Sequence, residues 1–283
     1  MTRTPAPTIV AVSDAELVAA VVQPGGIARL AERVEASGAR VLAIGTDRFD
    51  PERGRGHRLD PSSAAIALGR ALPTHGLLLA VAPTREHPYN VARRVLSLDH
   101  VLDARVGLIV GARDHGLPVT GARHDPIEFA GVVRGLWRTW PLDSIVGDRE
   151  TGRFADTDRI RPLDHDGGPD GYRVRGPLTT PSSRQGEPVL ALWHDVVAAG
   201  TDQAGASPVG ADLVLGGPAH PLAPLPADAG AWEPHRASRQ PADAPPGTER
   251  PTLRALLGLR APAPAPVPGP ATAPTSVPTT VSA

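Results

Sequence analysis

The chain has 283 residues and a formal net charge of −1, a balance that gives no global field for nucleic acid or an anionic membrane. All 29 basic residues are arginine and there is no cysteine, which excludes a Schiff-base or P-loop lysine, a thiolate nucleophile, a disulfide framework and Cys-ligated zinc. No apolar run is as long as a membrane span and MTRTPAPTIV lacks a signal-peptide core, so a cytoplasmic protein is expected.

In chain order, strand and helix alternate. Thr8 to Val12 is an apolar run fit for a first strand. Ile27 to Ser37 carries apolar residues at helical spacing, with Gly38 as its stop. Arg40 to Gly45 (RVLAIG) predicts a second strand, with Asp47 at its carboxyl end. Residues 48–58, rich in Arg and Gly, read as a polar, mobile loop. Asp60-Pro61 starts a helix over Ser62 to Leu72, and Gly76 to Ala82 (GLLLAVA) predicts a third strand with Thr84 just past its end. Pro88 opens a further helix in which Val91, Val95, Leu98, Val101 and Leu102 share a face. Arg105 to Val110 is a short apolar run suited to a parallel strand covered on both sides. Ile127 to Trp140 predicts a helix, Pro188 to Trp193 a fifth strand, and Ala211 to Leu215 a sixth. Such alternation predicts an α/β fold with a parallel sheet. The count favours a (β/α)8 TIM-barrel type, incomplete, with about six βα units and active groups at the carboxyl ends of the strands.

Two stretches break the pattern. Residues 141–187 form a long excursion after the fourth unit, without clean periodicity, and read as an inserted loop or lid. From Gly216 onward Pro and Ala dominate until Thr252 to Leu259 (TLRALLGL), and a Pro-rich low-complexity tail follows.

The block Glu86 to His100, EHPYNVARRVLSLDH, resembles the luciferase-like flavin monooxygenase family. The branch is the one that holds the monooxygenases of nitrilotriacetate, dibenzothiophene sulfone and long-chain alkanes. LWRTWPLDSIVGDRETGRFAD, the Asp164-His165 pair, YRVRGPL and SRQGEPV are similar to that family's insertion, in the same order. TLRALLGL is similar to its C-terminal signature. The resemblance spans residues 8–215 and 251–260. It implies a partial barrel over 1–215 with the insertion at 141–187, a Pro/Ala-rich linker over 216–250, a signature helix over 251–260 and a disordered tail over 261–283. About 35 linker residues replace the closing strands, too few for two βα units at roughly 30 or more each.

The resemblance also implies chemistry: reduced FMN supplied by a separate flavin reductase, and transfer of one oxygen atom of O2 to a small organic substrate. The flavin carries the reaction and the protein positions it. On this reading Asp47 and Thr84 contact the flavin, His124 and Ser207 grip its phosphate, and His87 is the polar catalytic group on the rim. Each has a plainer reading. Asp47 can cap a turn, Thr84 can be an ordinary loop hydroxyl, His87 can pack at a helix start, and the QAGAS of 203–207 lies well past its strand. Glu128, one turn beyond His124, would face and repel a phosphate. Asp99-His100 ties a helix end to the next strand, and the His residues match no metal-ligand spacing. The strand-four motif is changed to GLIVGAR, with Ile109 and Ala112 in place of polar groups, and Leu192 stands where a glutamine would fall. Two alternatives follow. One is a deazaflavin (F420) hydride-transfer relative. The other is a non-catalytic truncated paralogue, a decayed copy or a partner subunit in a homo- or heterodimer, because an open barrel leaves a strand edge to cover.

Overall fold

The structure, a computed structural model, describes residues 9–53, 56–117, 125–200, 208–217, 222–226 and 250–262. Its centre is a seven-stranded, all-parallel sheet. Strands β1 (Ile9–Val12), β2 (Val41–Ile44), β3 (Gly76–Val81) and β4 (Val106–Val110) lie side by side in chain order. After a short two-stranded hairpin, β5 (His165–Asp166) with β6 (Arg173–Val174), the sheet continues through β7 (Val189–Trp193) and β8 (Leu213–Leu215). A two-residue strand, β9 (Ala223–Pro224), pairs with the free side of β1. Among the described residues the sheet edges are therefore β8 and β9, an incomplete barrel. Six strands are expected from the apolar runs. The seventh, β9, falls in the Pro-rich stretch, where proline is tolerated because an edge strand need not donate on both sides.

The helices follow the strands. The first βα connection holds two, α1 (Asp14–Val22) and α2 (Gly26–Ser37), of which periodicity signals only the second. Ser13 and Glu16 form a reciprocal capping box at the start of α1, a signature present in the sequence as Ser-x-x-Glu. Then come α3 (Pro61–Ala71), α4 (Pro88–Val101) and α5 (Pro126–Trp137), each opened by a proline at its first position, and α6 (His194–Gly200). No helix among the described residues is long and apolar enough to cross a membrane.

Alternation along the strands divides the core in two, as the strand period of two requires. Leu42, Ile44, Leu77, Leu79, Leu108, Val110, Leu190 and Leu192 face outward, under the helices. Val41, Ala43, Leu78, Ala80, Ile109, Val189 and Ala191 face the concave side. Nothing of this second set is left to water, although the barrel is open. From the amino-terminal end, a short helix α7 (Leu253–Leu256) inserts Leu253 among the strand starts, and Leu256, Leu257 and Leu259 pack beside it. Gly107 makes room: a methyl there would sit 2.9 Å from Leu253 Cδ2.

Arginines set α7 in place. Arg254 is buried and donates to both oxygens of Asp212, at 2.9 and 3.1 Å, and to the Glu187 carbonyl at 3.1 Å. Arg134 of α5 donates to Asp212 at 2.6 Å, and Arg138 grips Glu187 through two bonds of 2.7 and 3.0 Å. Asp99, at the end of α4, accepts from the Val106 amide (2.8 Å) and from Gln185 (2.9 Å), so it does tie that helix to β4.

The insertion does not form a separate body. It packs along α4 and α5: Tyr89 donates to the Pro177 carbonyl, and the Leu178 amide donates to Thr139. Tyr172, Val174 and Leu178 join the outer core.

Candidate functional site

The carboxyl ends of β1, β2, β4 and β7 converge at the mouth of the barrel, where the barrel rule places chemistry. The concave side narrows there to Ala43, Ala80, Ala82 and Ala191, and Phe49 fills the space above them. Phe49 ends a 3-10 turn, Thr46–Phe49, that directly follows β2. Its ring lies against Gly111 so closely that a methyl at that position would overlap it. Trp193, at the end of β7, meets Phe49 with ring centroids 5.2 Å apart and a 48° tilt. The indole rests on Gly216, whose φ of +82° and lack of a side chain permit the contact; a Cβ there would be 2.9 Å from the ring. Two aromatic rings seated on two glycines thus span the mouth from β4 to β8. Phe49 is buried and Trp193 half-buried.

Beside this aromatic layer lies a charged cluster. Asp114 is fully buried and accepts from Arg58 (2.7 Å), Arg85 (3.0 Å) and the Gly116 amide (2.9 Å). Burial alone would raise its carboxyl, but these bonds and the charges of Arg58 and Arg48 outweigh burial and hold it below the ordinary value. Arg48 is 1% exposed, and its Nε donates to the Gly45 carbonyl at 2.6 Å while its Nη2 has no partner among the described residues. Burial lowers its pKa, with Asp114 and Asp14 opposing. Asp14 is 4% exposed and neither of its oxygens has a partner among the described residues. Burial is the largest influence on it and pushes its carboxyl up; the Arg48 charge pulls the other way but does not win. Asp14 and Arg48 thus form an oppositely charged, buried pair of neighbours at this strand end, without a direct hydrogen bond between them.

The residues expected from sequence fall unevenly around this mouth. Asp47 is half-buried, and its carboxylate accepts the Asp14 amide at 2.9 Å, which ties the β2 turn to the start of α1. Thr84 is exposed at the end of β3. His87 is the N-cap of α4: its Nδ1 accepts the Tyr89 amide at 3.3 Å, and its ring stands edge-on to Tyr172, centroids 5.8 Å apart. His124 and Ser207 lie outside the described residues. Glu128 is placed differently from the expectation. Its carboxylate accepts from His165 Nε2 (2.8 Å) and the Tyr172 amide (2.9 Å), so it anchors the β5–β6 hairpin. Arg94 pairs with Glu86 across the start of α4.

Asp14, Arg48, Phe49 and Trp193 escape a motif reading. Arg48 belongs to the stretch expected to be a polar, mobile loop, and the structure buries it instead, because the turn after β2 folds back over Gly45. Asp14 and Phe49 could have been found from position alone, since each follows a strand end by five residues or fewer.

No protein-family model matches the chain. One of the subunits of pristinamycin IIA synthase from Streptomyces pristinaespiralis is 31% identical over 197 residues, covering 70% of this chain and 67% of that protein. N-acetyl-S-(2-succino)cysteine monooxygenase of Bacillus subtilis strain 168 is 31% identical over 144 residues, 47% of this chain and 32% of that one. Dibenzothiophene-sulfone monooxygenase of Rhodococcus erythropolis is 35% identical over 143 residues, 47% and 31% respectively. The crystal structure of DmoA from Hyphomicrobium sulfonivorans superposes with a TM-score of 0.56 at 21% identity, over 75% of this chain and 52% of DmoA. The chain belongs to the luciferase-like flavin-dependent monooxygenase family. It spans about a third of the length of the named monooxygenases and two thirds of the pristinamycin synthase component.

Family membership bears on what the mouth can hold. A planar ring suits the half-buried face of Trp193, with Phe49 behind it and the charges of Arg48 and Asp14 buried at the neighbouring strand ends. The changed strand-four residues are consistent with this shift of emphasis. Ile109 belongs to the apolar concave core and Ala112 packs against the outer one, so β4 itself offers only backbone polarity.

Proposed function

We propose that the chain is a flavin-dependent monooxygenase subunit that takes reduced FMN from a separate flavin reductase and acts on a small organic substrate. The observation that carries this reading is the half-buried Trp193, seated on Gly216 and braced by Phe49 at the carboxyl ends of the strands of a barrel of this family. Reduced flavin would supply two electrons, with one oxygen atom of O2 passing to substrate and the other leaving as water. The chain's own residues bind and exclude water. Phe49 and Trp193 close the mouth against the apolar concave core. Arg48 offers a donor to an acceptor on the ring edge, and Asp14 an acceptor to a donor. Asp47 holds the β1 and β2 ends in register through the Asp14 amide, and Arg58 and Arg85 hold the Asp114 segment over them. His124 and Ser207 are assigned to the phosphate, Thr84 to the rim beside the ring, and His87 to the polar rim above it.

Anaerobic titration with reduced FMN, and a parallel titration with oxidised FMN, tests this. Dissociation constants on the order of 10 µM, weakened at least tenfold by His124→Ala, are expected; tenfold is about 1.4 kcal/mol. A folded protein that binds neither form at about 1 mM, under 5 kcal/mol of binding free energy, would overturn it.

A specific observation favours a second reading, a non-catalytic partner subunit. Asp47 and His87 both accept backbone amides, and among the described residues the sheet ends in two unclosed edges. That reading expects no flavin binding and a stable complex with a second barrel chain, visible as a doubled mass in solution.

A further inference from the structure

We propose that Trp193, braced by Phe49, is the ring-stacking residue of this chain's flavin site, replacing polar strand-end contacts with an aromatic one. The inference rests on the flavin reading and deepens it.

Three observations lead there. First, the two rings are neighbours only because two glycines let them be. Gly111 leaves no room for a methyl under Phe49, and Gly216 adopts a left-handed backbone under the indole. Side chains at either position would push a ring out of the mouth, so the layer is built at the level of the backbone. Second, the two rings stand differently. Phe49 sinks into the concave core, whereas Trp193 is half-buried and packs against both the inner and outer clusters. An indole held on one side by Gly216 and braced by Phe49 and the edge of His194 presents a fixed aromatic surface at the mouth. Third, Arg48, on the same turn as Phe49, lies buried over Gly45 and places a cation at the adjacent strand end. A ligand that uses the indole surface beside that cation is a planar heteroaromatic ring. Offset stacking on tryptophan suits a flavin ring because aromatic pairs gain beyond their buried area, and it needs none of the side-chain polarity that β4 and β7 lack.

The consequence is a contribution from the ring that is separable from the phosphate grip. Lumiflavin, which lacks the tail, should bind more weakly than FMN but should still lose about tenfold of its affinity in Trp193→Ala, because aromatic stacking acts on the ring alone.

The test compares the full-length chain with Trp193→Ala and Trp193→Phe by flavin titration, reading flavin absorption and tryptophan emission together. Thermal unfolding confirms that each variant is folded. Trp193→Ala is expected to weaken flavin binding by about tenfold or more and to abolish the red-shifted shoulder that a stacked indole gives the bound flavin. Trp193→Phe is expected to keep most of the affinity but to lose that shoulder, while the emission of Trp137, Trp140 and Trp232 is still quenched by energy transfer and reports binding. If the wild type binds flavin and Trp193→Phe gives the same bound-flavin spectrum as wild type, the stacking assignment falls while the flavin reading stands. That comparison decides the matter even if the alanine variant does not fold. If the wild type binds no flavin of any kind, the reading and the assignment fall together.

Discussion

The two ends of this barrel treat their charges in opposite ways. At the amino-terminal end, Arg134, Arg138 and Arg254 share Asp212 and Glu187, and each carboxylate is held by more than one guanidinium. At the mouth, Asp114 is equally well held, but Asp14 and the Nη2 of Arg48 are buried and open. A network in which every carboxylate is held by guanidiniums serves the fold, even with the Arg134 Nε left without a hydrogen bond, because each member is costly to strand. An open one has no such return, and proteins keep groups like these where something else is bound. The contrast divides the molecule into an end that maintains the fold and an end that acts.

Breaking the closed end should have the largest effect. Arg254→Ala removes the link between α7 and the starts of β7 and β8, and it leaves the Asp212 carboxylate and the Glu187 carbonyl each short of a donor. A stability loss of about 3 kcal/mol is expected, measured by urea unfolding. Flavin affinity of the folded fraction should be unchanged. A loss below about 1 kcal/mol, the range of an exposed pair, would mean that this network is not what holds the signature helix.

The same contrast explains what is legible in the sequence. Strand and helix alternation points to the barrel type, and the GLLLAVA and RVLAIG runs become β3 and β2 because buried parallel strands are apolar on both faces. The block from Glu86 to His100 leads directly to the family. Helix α1 is hard to read because its nine residues lie between a strand and another helix without a strong apolar stripe, so its capping box is the only clear local signal. Strand β9 is hidden because two residues carry no periodicity. At the site, Asp47 and His87 stand out as residue types that do chemistry elsewhere, and both accept backbone amides here. The aromatic layer is not legible, since it depends on which residues Gly111 and Gly216 face across the barrel, a long-range fact. Arg48 looks like part of a charged loop, and only tertiary packing buries it.

A middle-sized effect should come from the open end, with the opposite sign. Burial raises the Asp14 carboxyl above its ordinary 3.8, so the folded state binds this proton more tightly than the unfolded chain does. Stability from this group is then full below pH 3.8 and is lost as pH rises through the higher, folded-state value. Asp14→Asn never ionises and keeps an acceptor of similar shape. It should unfold at a higher temperature than wild type at about pH 7 and at the same temperature at about pH 3. A gain at neutral pH smaller than the Arg254 loss is expected, because Arg48 already offsets part of the cost. If the variant is instead less stable at neutral pH, Asp14 is a partner in a closed network and the contrast between the ends fails.

The smallest effect belongs to the hairpin of the insertion, which stands between the two ends in character. His165 bonds Glu128 at 2.8 Å, but its side chain is 31% exposed, and Glu128 keeps the Tyr172 amide without it. His165→Ala should therefore cost less than about 1 kcal/mol and leave flavin affinity within twofold. Glu128→Ala removes both bonds and strands a buried amide, so it should cost more than the histidine variant, by roughly the 1–3 kcal/mol of an unsatisfied group. Urea unfolding of the two variants side by side measures that gap. A gap near zero would mean that the hairpin is held by the packing of Tyr172 on Phe129, and that Glu128 is free to serve the mouth it adjoins.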